Sequence, residues 1–97
     1  MLISHKIRET LKALSELQLE INEHIKNNKV NNIAKHLESR LINVQLSLYQ
    51  SGITHYLDDV FWEESLNNEF IKIELEIIIQ ETEWQIQDIA RHLATIN

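Results

Sequence analysis

The sequence contains no cysteine and no proline, and glycine occurs once, at Gly52. Without thiols neither a disulfide framework nor a thiolate zinc site can form, so a reducing, cytoplasmic setting is expected. Without proline the strongest punctuators of turns are missing, and long helices are the default expectation. A single glycine cannot build the Gly-rich loop that cradles phosphates. Long apolar runs are missing too. None exceeds that of Ile77-Ile78-Ile79, against the roughly 20 residues needed for a membrane span. The N-terminus, Met1-Leu2-Ile3-Ser4-His5-Lys6, lacks the charged start, apolar stretch and small-residue cleavage site of a signal peptide. The chain is therefore expected to be soluble, with no membrane partner.

Its 97 residues suit one domain, spanning 1–97, and leave no room for two independent cores. A chain of this size buries only about 60 to 65% of the surface its unfolded form exposes, an adequate but not generous core. The formal net charge of -6 is unevenly spread. Residues 1–52 hold seven Lys and Arg against five acids, whereas residues 53–97 hold only Lys72 and Arg91 against ten acids. The halves carry about +2 and -8.

Apolar periodicity points to helices. Ile3, Ile7, Leu11, Leu14, Leu17, Ile21 and Ile25 recur at steps of three or four, which places them on one face of a helix. Helix 1 is predicted over about Ser4–Asn27. The cluster Asn27-Asn28-Lys29-Val30-Asn31-Asn32 interrupts the stripe, and asparagine both tolerates left-handed backbone and caps a following helix. Ile33, Leu37, Leu41, Val44 and Leu48 then restart the pattern. This predicts helix 2 over about Asn32–Gln50, with Gly52 placed to end it in a left-handed conformation. Two long helices joined by a short turn are expected to form an antiparallel hairpin.

Between Ile53 and Asn68 the pattern is less regular. Thr54 and the Asp58-Asp59 pair are possible caps, Asn67-Asn68 a break, and one short helix is expected to close an end of the bundle like a lid. The final segment, Asn68–Thr95, carries the stripe Ile71, Leu75, Ile78, Ile86, Ile89, Leu93 and Ile96, interrupted by Thr82. A strand competes at Ile71-Lys72-Ile73-Glu74-Leu75-Glu76-Ile77, which alternates with period two. No turn residues bound that strand, and it would have no partner strand. The expected fold class is thus all-α: a small bundle of three long helices and one short one.

The last helix carries a second apolar row, Phe70, Ile73, Ile77 and Trp84. One broad face normally suffices in so small a bundle, so a second row predicts a central helix or a seam with another chain, such as a homodimer. Acids flank these rows at sevenfold spacing: Glu69, Glu76 and Glu83 on one line, Glu74, Glu81 and Asp88 on another. Like charges so placed repel one another. Their use would be to steer and orient a basic surface on a larger protein, with nucleic-acid mimicry as the extreme case. All six aromatics fall between residues 49 and 84, and Trp and Tyr are enriched among residues that dominate interfaces. Trp62 beside Glu63 and Glu64, and Trp84 beside Glu83, have that local chemistry. Candidate partner-binding residues are therefore Asp58, Asp59, Trp62, Glu63, Glu64, Glu69, Glu76 and Glu83.

Catalytic and cofactor chemistry finds little support in these residues. The five histidines, His5, His24, His36, His55 and His92, do not cluster at ligand spacing, and the Glu-x-x-His element of di-iron bundles does not occur. Glu20 with His24 and Asp88 with His92 are one turn apart, as surface ion pairs are. None of Arg8, Arg40 and Arg91 is followed by histidine at the four-to-six-residue gap of helical ribonucleases. No catalytic, metal or cofactor residues are assigned, and a non-catalytic protein is expected. Ile33-Ala34-Lys35-His36-Leu37 followed by Arg40-Leu41-Ile42-Asn43-Val44 resembles a helix-turn-helix, implying a DNA-binding regulator. The resemblance covers about 20 residues, with Glu38 where a small turn residue is usual and an apolar stripe running straight through. The net negative charge also opposes a polyanion, so direct nucleic-acid binding is not the expected function. The leading expectation is a small acidic inhibitor or adaptor, similar in general kind to nuclease inhibitors, antitoxins and immunity proteins, which docks its acidic, aromatic C-terminal half onto a basic surface of a larger protein, a nucleic-acid-handling complex being one such setting.

Overall fold

A computed structural model of the protein describes residues 3–27, 32–57 and 69–95. They form helix α1 (Ile3–Asn27), helix α2 (Asn32–Gln50), a single 3-10 turn (Ile53–Leu57) and helix α3 (Glu69–Ala94). The three long helices pack together, each against both others, and no strand occurs among the described residues.

Packing follows the periodicity. Ile7, Leu14, Leu17 and Ile21 of α1 meet Leu37, Leu41 and Leu48 of α2 and Leu75, Ile79, Ile89 and Leu93 of α3 in one buried cluster. Burying each such side chain stabilises the fold by about 1.5 to 3 kcal/mol relative to exposure. Ile33 departs from its expected place in this stripe and stands 60% exposed. It lies in the first turn of α2, where Ala34, one position along, takes the inward direction and is fully buried.

Two threonines sit inside the core without orphaned hydroxyls. Thr10 Oγ1 donates to the Lys6 carbonyl at 2.9 Å, and Thr82 Oγ1 donates to the Ile78 carbonyl at 2.8 Å. This back-bonding lets a buried hydroxyl spend its donor on its own helix. Thr82 thus continues the inward face of α3 and does not break it.

The strand alternative at 71–77 does not occur, because its period-two signal is the sum of two helical rows. Ile71 and Leu75 turn inward, while Ile73 and Ile77 turn outward. Each pair is spaced i, i+4, so alternating apolar and polar letters arise on one helix with two apolar faces. The helix-turn-helix resemblance over 33–44 is likewise not realised: as the continuous apolar stripe predicts, α2 runs without a turn through Glu38. Neither Glu38 nor its neighbours favour a break, and Leu37 and Leu41 on either side of it both enter the core.

At its C-terminus α2 stops where expected. Gly52 adopts a φ of 76°, in the left-handed region that costs a side chain with a Cβ about 1 to 2 kcal/mol. Its N–H donates to the Tyr49 carbonyl at 3.1 Å, and the Ser51 N–H donates to the Ser47 carbonyl at 3.0 Å. The chain then dives into the 3-10 turn, whose Ile53 is fully buried and whose Tyr56 packs against the core. This turn is the described part of the expected lid over 53–68. Asp58, Asp59, Trp62, Glu63 and Glu64 lie outside the described residues.

Candidate functional site

Helix α3 is apolar on two opposite faces. The inward face is the core row just described. Opposite it, Phe70, Ile73, Ile77 and Trp84 are 84%, 53%, 49% and 59% exposed. The row expected to be a seam is therefore open to solvent in the single chain, and the alternative of a helix buried on all sides does not hold. From Phe70 to Trp84 the row runs 14 residues, or about 21 Å along the helix.

Carboxylates line both edges of this row. Glu74 and Glu81 lie along one edge and Glu76 and Glu83 along the other, all four exposed. Among the described residues none of the four takes part in an ion pair. Glu69 begins the helix on the Glu76 edge, and its side chain lies outside the described residues. The two edges open onto different grooves. Glu81 and Trp84 border a groove of about 670 Å³ between α2 and α3, floored by Val44, Leu48, Ile78 and Thr82. Glu76 and Glu83 border a groove of about 420 Å³ between α1 and α3, together with Lys6 and Glu9. The structure thus brings Glu76 and Glu83 together one heptad apart, and the apolar row separates them from Glu74 and Glu81.

Asp88 has a different role from the other acids of α3. Its Oδ2 accepts from Arg40 Nη2 at 2.9 Å, and its Oδ1 accepts from Arg91 Nη2 at 2.6 Å. Arg40 also donates to Gln85 Oε1 at 3.1 Å. Hydrogen bonds from the Arg91 guanidinium first, and the Arg40 guanidinium after it, hold the Asp88 carboxyl below its ordinary value against the opposing effect of burial, with the charges of His92 and Arg40 adding to the attraction. The carboxylate is about one third exposed. Asp88 is therefore occupied in fixing α2 to α3, and it leaves the line of carboxylates offered to solvent. Of the expected histidine pairs, His92 Nδ1 stands 3.7 Å from Asp88 Oδ2. Another, not anticipated, joins His5 Nε2 to Glu9 Oε1 at 3.0 Å.

A second exposed apolar row escaped the sequence reading. Ile42, Leu46 and Tyr49 of α2 are 41%, 52% and 59% exposed. Their i, i+4, i+7 spacing is a helical-face signal, but it is masked in the sequence by the stronger core stripe through Leu37, Leu41 and Leu48.

Among the described residues no three His, Asp or Glu side chains come together as metal ligands would, and no helix is long and apolar enough to cross a membrane. Fold and surface define the class: a small all-α protein of three packed helices, one of them apolar on two faces. In comparisons with family models, curated proteins and solved structures, nothing matches the chain.

Proposed function

We propose that the chain is a non-catalytic interaction protein, a small acidic inhibitor or adaptor that docks its C-terminal half onto a basic surface of a larger protein. One observation carries this reading: the outward row Phe70, Ile73, Ile77 and Trp84 is solvent-exposed between two edges of carboxylates, Glu74 with Glu81 and Glu76 with Glu83, that form no ion pair among the described residues. Exposed apolar rows of this kind mark interaction sites when polar residues rim them, and unpaired charge at the rim sets encounter rate and orientation. In this reading α1 and α2 form an antiparallel hairpin, supported by the bond from Gln45 Nε2 to Gln18 Oε1 at 2.9 Å, and a short lid helix follows them. Asp58, Asp59, Trp62, Glu63, Glu64 and Glu69 are, by their sequence chemistry, further candidate contacts for the same partner in this reading.

A second reading rests on the same exposed row: a homodimer or assembly subunit in which Phe70, Ile73, Ile77 and Trp84 meet their symmetry mates. The two readings separate in one experiment. The tagged chain and its Glu76→Lys, Glu83→Lys variant are used to capture proteins from nuclease-treated host lysate, and the captured material is identified by mass spectrometry. A stoichiometric foreign protein held by the parent and lost by the variant supports docking through the acidic face. Capture of only untagged copies of the chain itself would establish the assembly reading in its place.

A further inference from the structure

Read in heptads, the outward surface of α3 has a regular code. Phe70, Ile77 and Trp84 recur every seven residues, with Ile73 and Gln80 at the intermediate positions. These are the a and d positions of a coiled-coil seam. The positions beside that seam, e and g, are then Glu69, Glu74, Glu76, Glu81, Glu83 and Asp88: every one is acidic, and Glu74, Glu76, Glu81 and Glu83 are available as edge charge, while Arg40 and Arg91 engage Asp88. The remaining positions, b, c and f, hold the inward residues Ile71, Leu75, Ile78, Ile79, Thr82, Ile86 and Ile89, together with the exposed Lys72 and Gln85.

Resting on the interaction reading above, we infer that the outward face of α3 is one half of a heterotypic helix pair, and that its partner is an amphipathic helix whose apolar seam is edged by Lys or Arg. The charge pattern selects this occupant. In a coiled coil the e and g residues of one helix face those of the other and decide which helices pair. A second copy of this chain would set carboxylates against carboxylates along both edges, in parallel or antiparallel alignment alike. A basic helix would meet opposite charge along both edges in either alignment. The length of the row, about 21 Å of one helix, matches a partner helix read through i, i+3 and i+7 anchors. An anionic membrane surface or a nucleic acid is repelled by the same edges. Gln80, exposed in the middle of the seam, supplies the single polar position that fixes register in such pairs.

The test needs no knowledge of the natural partner, because a charge-reversed copy of the chain has the required chemistry. In the variant Glu74→Lys, Glu76→Lys, Glu81→Lys, Glu83→Lys the apolar seam is kept and the edges become basic. All four side chains are exposed and form no ion pair among the described residues, and helical circular dichroism checks that the fold is retained. Sedimentation analysis is run on the parent, the variant, and an equimolar mixture. The expected result is one-to-one pairing in the mixture, with each chain alone monomeric at the same concentration, and roughly tenfold or greater weakening at high salt. A mixture no more associated than its components overturns the inference, as does a dimer of the parent alone that Ile77→Ser dissolves. A companion variant with Gln at the four positions guards against misfolding of the Lys chain: removal of the repulsion is expected to let it self-associate more readily than the parent, and equal behaviour counts against the inference. Should the lysate capture give a foreign protein sensitive to Glu76→Lys and Glu83→Lys while the charge-reversed copy fails to pair, helix pairing falls and the acidic docking reading stands. Failure of both assays removes both.

Discussion

Arg40 of α2 and Asp88 of α3, 48 positions apart in sequence, form a 2.9 Å ion pair that joins two helices of the bundle. Arg91 completes the carboxylate's coordination from the next turn of α3. Both oxygens of Asp88 are thereby engaged by guanidinium groups, which is why its carboxyl is held below the ordinary carboxylate range.

This clamp has a pH signature. A carboxyl whose folded value is depressed contributes stability that is fully present above its unfolded value, about 3.9, and is lost as pH falls through the folded value. Asp88→Asn should therefore melt below the parent at neutral pH, and the two melting curves should converge as the solution is acidified below about pH 3.9. Thermal melts of both chains across that range check it. A constant gap at all pH values would show that the asparagine acts by packing and not by charge.

The two faces of α3 should respond oppositely to truncation. Ile89→Ala empties a fully buried site and should cost about 2 to 5 kcal/mol of stability. Trp84→Ala, more than half exposed, should change stability by no more than about 0.5 kcal/mol while weakening partner binding by about 2 kcal/mol if Trp84 anchors the interface. Urea denaturation compares the stabilities, and a large loss from Trp84→Ala would move that side chain into the core.

Glu76→Lys with Glu83→Lys should leave the helical circular dichroism unchanged, since neither side chain has an ion-pair partner among the described residues. The association rate with the captured partner should drop, and the drop should shrink as salt is added. Stopped-flow or surface-based kinetics at two ionic strengths measure it. An unchanged rate would retire the steering role of these carboxylates.

At the end of α2, Gly52→Ala should destabilise the protein by about 1 to 2 kcal/mol, because its φ of 76° penalises a Cβ. For a domain of this size that corresponds to a melting temperature lower by very roughly 4 to 16 °C. Gly52→Asn should recover part of the loss, since asparagine tolerates this conformation. Equal melting of the parent and the alanine chain would refute the glycine's role as the helix stop.

What the sequence made legible was local. The bounds of α1, α2 and α3 lie within a residue or so of the stripes and the Asn and Gly breaks that predict them, because i, i+4 spacing is set within one helix. The outward row of α3 was legible for the same reason. Ile33 was misplaced because a stripe gives direction around a helix but not how far neighbouring helices extend over its first turn. Asp88 was grouped with the solvent-facing acids because its partner Arg40 lies on another helix, and pairing across helices depends on packing that spacing does not encode. The row Ile42, Leu46, Tyr49 was hidden for a related reason: two stripes on one helix overlap in sequence, and the eye follows the more regular.

The two faces of α3 share no position. Ile71, Leu75, Ile78, Ile79, Thr82, Ile86, Ile89 and Leu93 answer to the fold, while Phe70, Ile73, Glu74, Glu76, Ile77, Glu81, Glu83 and Trp84 answer to whatever meets the surface. On the interaction reading proposed above, recognition could drift by mutation while the bundle stays whole, and one scaffold of three helices could be retargeted by rewriting alternate letters of a single helix.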